Sequence, residues 1–390
     1  MNVNVIVSGV NAHPNCAEGV ARITYNTISS LRKHEVPVYL FSLINPRFEN
    51  TFTYSSIEPQ GKGEDLYFSS WDRLKESMLQ FIKMSQQLGG KIVVFDNPSS
   101  LRRRMNMYLT IKGVSRDVHV VFSLFSRPFE LVERLQYLIP DHVFVYSPSE
   151  YIFLSNKLKI ARKRISLIPT PIDVEHFSPR PRKEARRVLS GLVGEDLDAN
   201  EILLGYMGNP FPDRLPASFF KVLSKLTKRF DLRAVIIAPP YSGRSYRKYI
   251  NETCERLGLS KHVIYAERFV DYAIKPYVYS ALDIFLYLYK WREAPYPFLA
   301  ALEALSTGVA TLLTDSVEFM WISNYGEVAS TIKLDRFEHS LEEKLVEMLK
   351  YEYFRDANIR GKARRRIKEM FSLKKVGLYL KHKLEMTVER

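Results

Sequence analysis

Short apolar runs alternate with amphipathic stretches from the start of the chain. Val3–Val7 reads as a strand, Val20–Leu31 as a helix and Val38–Ser42 as a strand, and Leu74–Ile82 lies within a second helix. Ile92–Phe95, Val118–Phe122 and Val143–Tyr146 have the pattern of further strands. Strands separated by helical segments predict a parallel sheet with helices on both faces. Ligands of such sheets bind beyond the carboxyl ends of the strands. The loop Ser8–Glu18, and Gly19 at the start of the next helix, are therefore expected on the ligand side. Between Asn45 and Ser70 the pattern fails in a stretch rich in Pro, Ser and Gly, long for a connection inside a compact domain. It reads either as a mobile loop or as a substrate lid or acceptor site.

After a strand that ends in two prolines within Ile165–Phe177, a polar stretch, Ser178–Asn200, reads as a linker. The alternation then restarts. Ile202–Met207, Ala234–Ile237 and Val263–Ala266 are strand-like, and Ala217–Leu226, Tyr246–Leu257 and Tyr272–Tyr279 helix-like. Asp283–Tyr289 is an apolar run of buried-strand type. Leu299, Leu302 and Leu305, with Ala300, Ala301 and Ala304 between them, predict a helix that Gly308 ends, and Val309–Leu313 reads as the next strand. Pro297 suits a first helical position, where no N–H is needed. The N–H groups of Phe298 and Leu299 then form an anion site at the helix start. Glu303, one turn further in, either holds hydroxyls of the molecule that carries the anion or is a plain solvent-exposed helix residue. Gly208 ends a strand where a backbone can approach a ligand closely, and Arg214 in the loop behind it can fork onto phosphate or be a surface arginine. Leu341–Arg390 reads as helical and basic. The expected organisation is a first domain over 1–170, a linker over 171–200, a second domain over 201–370, and a closing helix over 371–390.

Composition narrows the picture. At 390 residues two domains are the natural expectation, and 46% hydrophobic with 26% charged residues is an ordinary globular balance. The net charge is +14. Residues 1–170 hold 21 Lys+Arg against 14 Asp+Glu and the remainder 36 against 29, so each part carries +7. That even division argues against a nucleic-acid footprint. Two local runs stand out, Arg102–Arg104 and Lys157–Arg164. Each is either a solvated face or a contact for anionic lipid or substrate. The two cysteines, Cys16 and Cys254, have no metal or redox spacing, which predicts neither a disulfide nor a zinc site. No signal peptide is read at the N-terminus, and no apolar run reaches the ~20 residues of a membrane span.

Several strings, in order, resemble one family. IPTPIDVEHFSP (Ile168–Pro179) is similar to "IPNGVDxxxFxP", and GNPFPDRL (Gly208–Leu215) to "GRLxxEKG". YVYSALDIFLY (Tyr277–Tyr287) is similar to "YxxADxfvxPS" and LEALSTGVATLLTD (Leu302–Asp315) to "LEAMAxGxPVIaTD". EGVARITYNTISSLRKHEVPVYLFS (Glu18–Ser42) resembles "GGVexxvxxLaxxLxxxGHeVxvxt", and FSLKKVGLYL (Phe371–Leu380) the closing helix that crosses back to the first domain. Over nearly its whole length the chain resembles the GT-B retaining glycosyltransferases of the family 4 type, the glycosyl transferases of group 1.

The resemblance implies two Rossmann-like α/β/α domains facing a cleft. It implies a transferase that moves a sugar from a nucleotide-diphosphate sugar to a hydroxyl of a glycan or lipid-linked acceptor. Arg214 takes the place of the diphosphate-binding lysine, Asn209 that of the first diphosphate arginine, and Glu18 that of the first of two glycines before Gly19. Glu303 is implied to hold the ribose. The family's other glutamate lies eight positions earlier, where this chain has Pro295; the nearest acid is Glu293, so either the loop holds two extra residues and Glu293 reaches donor-sugar hydroxyls, or the first acid is lost. Arg214, Glu293 and Glu303 are thus the catalytic candidates. Gly19, Gly208, Asn209, Arg214, Phe298, Leu299 and Glu303 are the donor-binding ones. The family's histidine after the strand Val118–Phe122 is missing from SLFSRP. No metal, cofactor, nucleic acid or obligate protein partner is implied. The expected location is the cytoplasm, with weak contact to an anionic inner membrane face through Lys157–Arg164, beside Leu154, Leu158 and Ile160. Two other readings are a GT-B protein that hydrolyses, epimerises or only binds nucleotide sugars, and a basic nucleic-acid-binding protein.

Overall fold

A computed structural model describes residues 3–10, 19–43, 65–68, 71–87, 91–96, 101–115, 117–124, 136–198, 200–240, 244–289, 298–324 and 326–389. The chain divides into two units. One spans Met1–Pro171 and takes back Met370–Arg390; the other comprises Ile172–Ala294 and Phe298–Glu369.

The first unit contains β1 (Val3–Val10), α1 (Gly19–Arg32), β2 (Val38–Leu43), β3 (Asp65–Phe68), α2 (Trp71–Gln87), β4 (Lys91–Asp96), α3 (Leu101–Val114), β5 (His119–Leu124), β6 (His142–Val145), α4 (Pro148–Ile152) and β7 (Ile165–Leu167). Its strands form a seven-stranded sheet in the order β3-β2-β1-β4-β5-β6-β7. All pairings are parallel, with Val5 opposite Val38 on one side and Val93 on the other. Leu74, Met78, Phe81 and Ile82 of α2 pack under the sheet against Tyr39 and Val94, so the apolar stripe expected there does face a core. β3 lies inside the stretch where the sequence pattern fails, and the sheet extends one strand further than the pattern predicts.

The second unit contains α5 (Arg182–Val193), β8 (Ile202–Met207), α6 (Ala217–Leu226), β9 (Leu232–Ala238), α7 (Arg244–Arg256), β10 (Val263–Glu267), α8 (Lys275–Ala281), β11 (Ile284–Tyr287), α9 (Leu299–Thr307), β12 (Ala310–Thr314), α10 (Val317–Ile322), β13 (Ser330–Ile332) and α11 (Phe337–Lys350). α12 (Ala357–Phe371) and α13 (Leu373–Val388) follow. Six parallel strands run in the order β10-β9-β8-β11-β12-β13. The order reverses between β8 and β11, and the crevice beyond the carboxyl ends at such a switch point is where ligands of open α/β sheets bind.

The polar stretch 178–200 that reads as a linker holds α5, whose buried face is Ala185, Arg186 and Leu189. Arg182 and Arg186 clamp Asp283, at 2.6 Å and 2.8 Å, and the backbone N–H of Leu203 donates to the same carboxylate at 2.8 Å. Asp283 sits just before β11, at the amino edge of the sheet, so this cluster is structural. Burial lowers the Arg186 pKa to about 10 against the pull of Asp283.

The closing helix α13 belongs to the first unit. Ser372 caps it by accepting from the Lys375 N–H at 3.4 Å. It packs on α1 at Gly377, where a Cβ would lie 2.1 Å from the Ser30 carbonyl oxygen. His34 Nε2 meets the Lys374 carbonyl at 2.6 Å, and Lys91 Nζ donates to the Val388 carbonyl at 3.3 Å.

Candidate active site

β8 runs into Gly208, whose φ of +143° is open to glycine and strained for other residues. The Gly208 N–H donates to the Ile237 carbonyl at 3.0 Å, and the Tyr206 hydroxyl donates to the Asn209 carbonyl at 2.6 Å. These two bonds fix the loop where it leaves the carboxyl edge. Arg214 is held by a backbone bond to the Phe211 carbonyl at 2.8 Å. Its guanidinium carbon lies 5.2 Å from the centre of the Phe211 ring and 5.1 Å from that of Tyr289. Two aromatic faces thus set the plane of the cation.

No acid forms an ion pair with Arg214 among the described residues, and its Nε is buried without a hydrogen-bond partner. Asn209 Oδ1 and Ser218 Oγ of the same region are buried and unpartnered as well. Burial works against the Arg214 charge, while Tyr289, Tyr287, Tyr206 and the Asp213 carboxylate act the other way, and the pKa stands above the ordinary arginine value. A half-buried, permanently charged fork with no acid hydrogen-bonded to it has the chemistry to take up an anion.

The end of β11 supplies the opposite wall. Tyr287 and Tyr289 are 6% and 2% exposed, their rings 5.3 Å apart. Burial raises the pKa of both, so both are neutral hydroxyls at physiological pH. Tyr289 and Phe298 each contact Phe319, at 6.0 Å and 6.3 Å, which ties the Arg214 loop to the start of α9. That helix begins at Leu299 with Phe298 as its N-cap. The Leu299 and Ala300 N–H groups have no acceptor among the described residues, because the first bonds to the Phe298 carbonyl come from Ala301 and Leu302. Gly308, with φ of +74°, ends the helix as expected.

Glu303 is not on a solvent-exposed face. It is 2% exposed, accepts from the Tyr279 hydroxyl at 2.7 Å and lies 3.7 Å from Lys275 Nζ. α8 therefore supplies both partners, neither of which the sequence pattern singles out. Gly208, Asn209 and Arg214 share one loop, and Phe298, Leu299 and Glu303 one helix start. Gly19 opens α1 in the first unit. Glu293, Pro295 and Pro297 lie outside the described residues, as do most of the loop Ser8–Glu18 and the side chains of Arg102–Arg104.

The basic segment needs one correction. Leu154 and Ile160 are buried and Leu158 packs against the same cluster with Tyr137, Val143 and Val145, so none of the three is presented to a membrane. Lys159 takes a φ of +56°, and Ile160 directly after it is buried. Lys157, Lys159, Arg162 and Lys163 remain exposed.

No protein-family profile and no curated protein sequence matches the chain. Solved structures do. HepE of Anabaena in complex with UDP is similar at 13% identity with a TM-score of 0.72, over 98% of this chain and 100% of its own. Sucrose-phosphate synthase of Thermosynechococcus elongatus is similar at 14% identity with a TM-score of 0.74, over 98% of each chain. WaaG, a glycosyltransferase involved in lipopolysaccharide biosynthesis, is similar at 14% identity with a TM-score of 0.58, over 97% of this chain and 98% of its own. The chain has the GT-B fold. Full-length coverage in both directions makes this the fold of the whole chain and not of one shared unit. Tyr206, Phe211, Tyr287 and Tyr289, which line the Arg214 site, escape sequence reasoning because they stand among apolar strand residues or beside turn prolines.

Proposed function

We propose that the chain is a glycosyltransferase of the family 4 type that moves a sugar, with retention of configuration and without a metal, from a nucleotide-diphosphate sugar to a hydroxyl of a glycan or lipid-linked acceptor. The observation that carries this reading is the lone cation Arg214, fixed between two rings at the switch point of the second sheet in a GT-B fold.

Sugar transfer passes through an oxocarbenium-like state, and the leaving diphosphate gains charge as the bond breaks. Preorganised donors aimed at that charge are the main catalytic resource. In this reading Arg214 and the N–H groups at the start of α9, those of Phe298 and Leu299, bind the diphosphate, and Gly208 lets the backbone approach it. Asn209 presents an unpartnered Oδ1 and no charge. Glu303, held in place by Tyr279 and Lys275, takes the ribose hydroxyls on its remaining lone pairs. Glu293 holds donor-sugar hydroxyls, and Gly19 opens the helix that faces the ligand edge of the first sheet. The exposed Lys157, Lys159, Arg162 and Lys163 rest on an anionic surface such as the inner face of a cytoplasmic membrane.

HepE is described in complex with UDP and with UDP-glucose, so uridine diphosphate sugars head the panel of donors. The test is release of nucleoside diphosphate from such a panel with and without candidate glycan or lipid-linked acceptors. Acceptor-dependent release, unchanged by a chelator and giving a product with the donor's anomeric configuration, is expected. Release at the same rate without any acceptor would make the chain a hydrolase.

A further inference from the structure

α8 follows β10 and runs back to the amino end of β11, so its first turn stands at the carboxyl edge of the parallel sheet, the same edge at which α9 begins. Lys275 opens α8, and Tyr279 lies one turn later on the same face; both meet Glu303. The two contacts differ. Tyr279, fully buried, donates its hydroxyl proton to Oε2 at 2.7 Å. Lys275 Nζ stands 3.7 Å from Oε1, within charge attraction but beyond hydrogen-bond length. Among the described residues no donor reaches Oε1 and no acceptor takes a proton from Nζ. The Lys275 side chain is 20% exposed and that of Glu303 2%, so the pair is reached from the lysine side. An oxygen about 2.8 Å from both atoms closes a triangle on this base. It has to accept from an ammonium that holds only protons and donate to a carboxylate that holds only lone pairs, and a hydroxyl does both.

We infer that Lys275 is a further donor-binding residue: one ribose hydroxyl accepts from its Nζ and donates to Glu303 Oε1, so the site selects ribonucleotides over deoxyribonucleotides. The inference rests on the transferase reading and deepens it. Tyr279 fills one lone pair of Oε2, and the other is left for the neighbouring hydroxyl of the same ribose. Each hydrogen bond on the bridging hydroxyl has an ionised partner, which makes it stronger than a bond between neutral groups. The chemistry recognised is the vicinal diol of a nucleoside diphosphate, free or as part of the sugar donor. A deoxy position cannot accept from Nζ or donate to Oε1, and it leaves both charged groups without the bond.

The experiment is calorimetric titration of wild type, Lys275→Met, Lys275→Arg, Glu303→Gln and the Lys275→Met, Glu303→Gln double variant. The ligands are uridine and guanosine diphosphates and their 2′,3′-dideoxy forms. The readout is the ratio of ribose-form to dideoxy-form affinity within each protein, which a lowered stability leaves unchanged. Wild type is expected to prefer the ribose form. Lys275→Met is expected to lose about ten- to a hundredfold in ribose-form affinity, the range of a hydrogen bond to a charged group, and to bind the dideoxy form as wild type does. Lys275→Arg, which keeps the charge and the donors, is expected to retain part of the preference. The double variant is expected to bind the ribose form more weakly than Glu303→Gln, because Nζ reaches the hydroxyl itself. An undiminished preference in Lys275→Met, or equal binding of both forms by wild type, would overturn the inference. So would a double variant equal to Glu303→Gln, which would leave Lys275 only a support for Glu303. These three outcomes leave diphosphate binding, and with it the transferase reading, standing. Absence of diphosphate binding by wild type would reject both.

Discussion

Glu303 shows what a single residue tells from sequence and what it does not. Its place in a helix behind a strand is legible from the leucine spacing, and the two readings left open there differ in exposure. Burial at 2% excludes the surface reading, and Tyr279 and Lys275 explain how a carboxylate stays there. Glu303→Gln keeps an acceptor for Tyr279 and removes the charge facing Lys275. Weaker binding of both diphosphate and sugar nucleotide is expected in titration; unchanged binding would take the ribose role from Glu303. His119, at the amino end of β5, carries a different prediction. Its pKa is lowered from 6.5, first by burial, then by Lys112 and Lys91 acting against Asp141 and Asp117. The unfolded chain therefore binds the extra proton more readily. His119 costs no stability above the unfolded value, and stability falls as pH drops through 6.5 toward the lower folded pKa. His119→Asn should lessen the fall in urea midpoint across that window relative to wild type; parallel curves would contradict the assignment. Cys254, pushed up to about 11 by burial, should react with iodoacetamide only on unfolding.

At the scale of elements, strands and helices that bury one face were the legible part, because periods of two and near 3.6 are written directly in the residues. α1, α2 and β8 lie where the pattern puts them. α5 was hidden because its buried face includes an arginine: Arg186 is 4% exposed and counts as polar until Asp283 is seen beside it. Asp283→Ala leaves two guanidinium groups without their carboxylate, and loss of one partner of a buried pair costs about 3–5 kcal/mol. A drop of that size in urea unfolding is expected, against under 1 kcal/mol if the pair is dispensable. β3 is not legible in the sequence because it is a four-residue edge strand, Asp65–Phe68, inside a polar stretch. The docking of α13 on α1 turns on Gly377. Gly377→Ala, which would favour an isolated helix, should instead lower Tm, because the added methyl meets a backbone carbonyl that has no room to move.

For the whole molecule, the order of motifs disclosed the fold and the tyrosine cage around Arg214 did not show itself. Tyr287 and Tyr289 read as ordinary members of an apolar strand run, and only the position of β11 beside β8 brings them to the Arg214 loop. Among the described residues no helix is long and apolar enough to cross a membrane. With Leu154 and Ile160 buried, any attachment through Lys157–Lys163 is electrostatic. Sedimentation with anionic but not neutral vesicles at low salt, lost on adding salt, is expected, at roughly 1 kcal/mol for each basic side chain; equal sedimentation with both would contradict it. On the proposed function, the carboxyl edge of the second sheet grips a diphosphate through Arg214. Removing one preorganised donor to a developing anion costs about 3–4 kcal/mol, a few hundredfold in rate. The most direct measurement is sugar transfer from the preferred donor by wild type, Arg214→Lys and Arg214→Ala, with Tm recorded for each. Transfer is expected to be nearly abolished in Arg214→Ala, partly kept in Arg214→Lys, with Tm unchanged in both; transfer by Arg214→Ala at the wild-type rate would take the diphosphate away from Arg214.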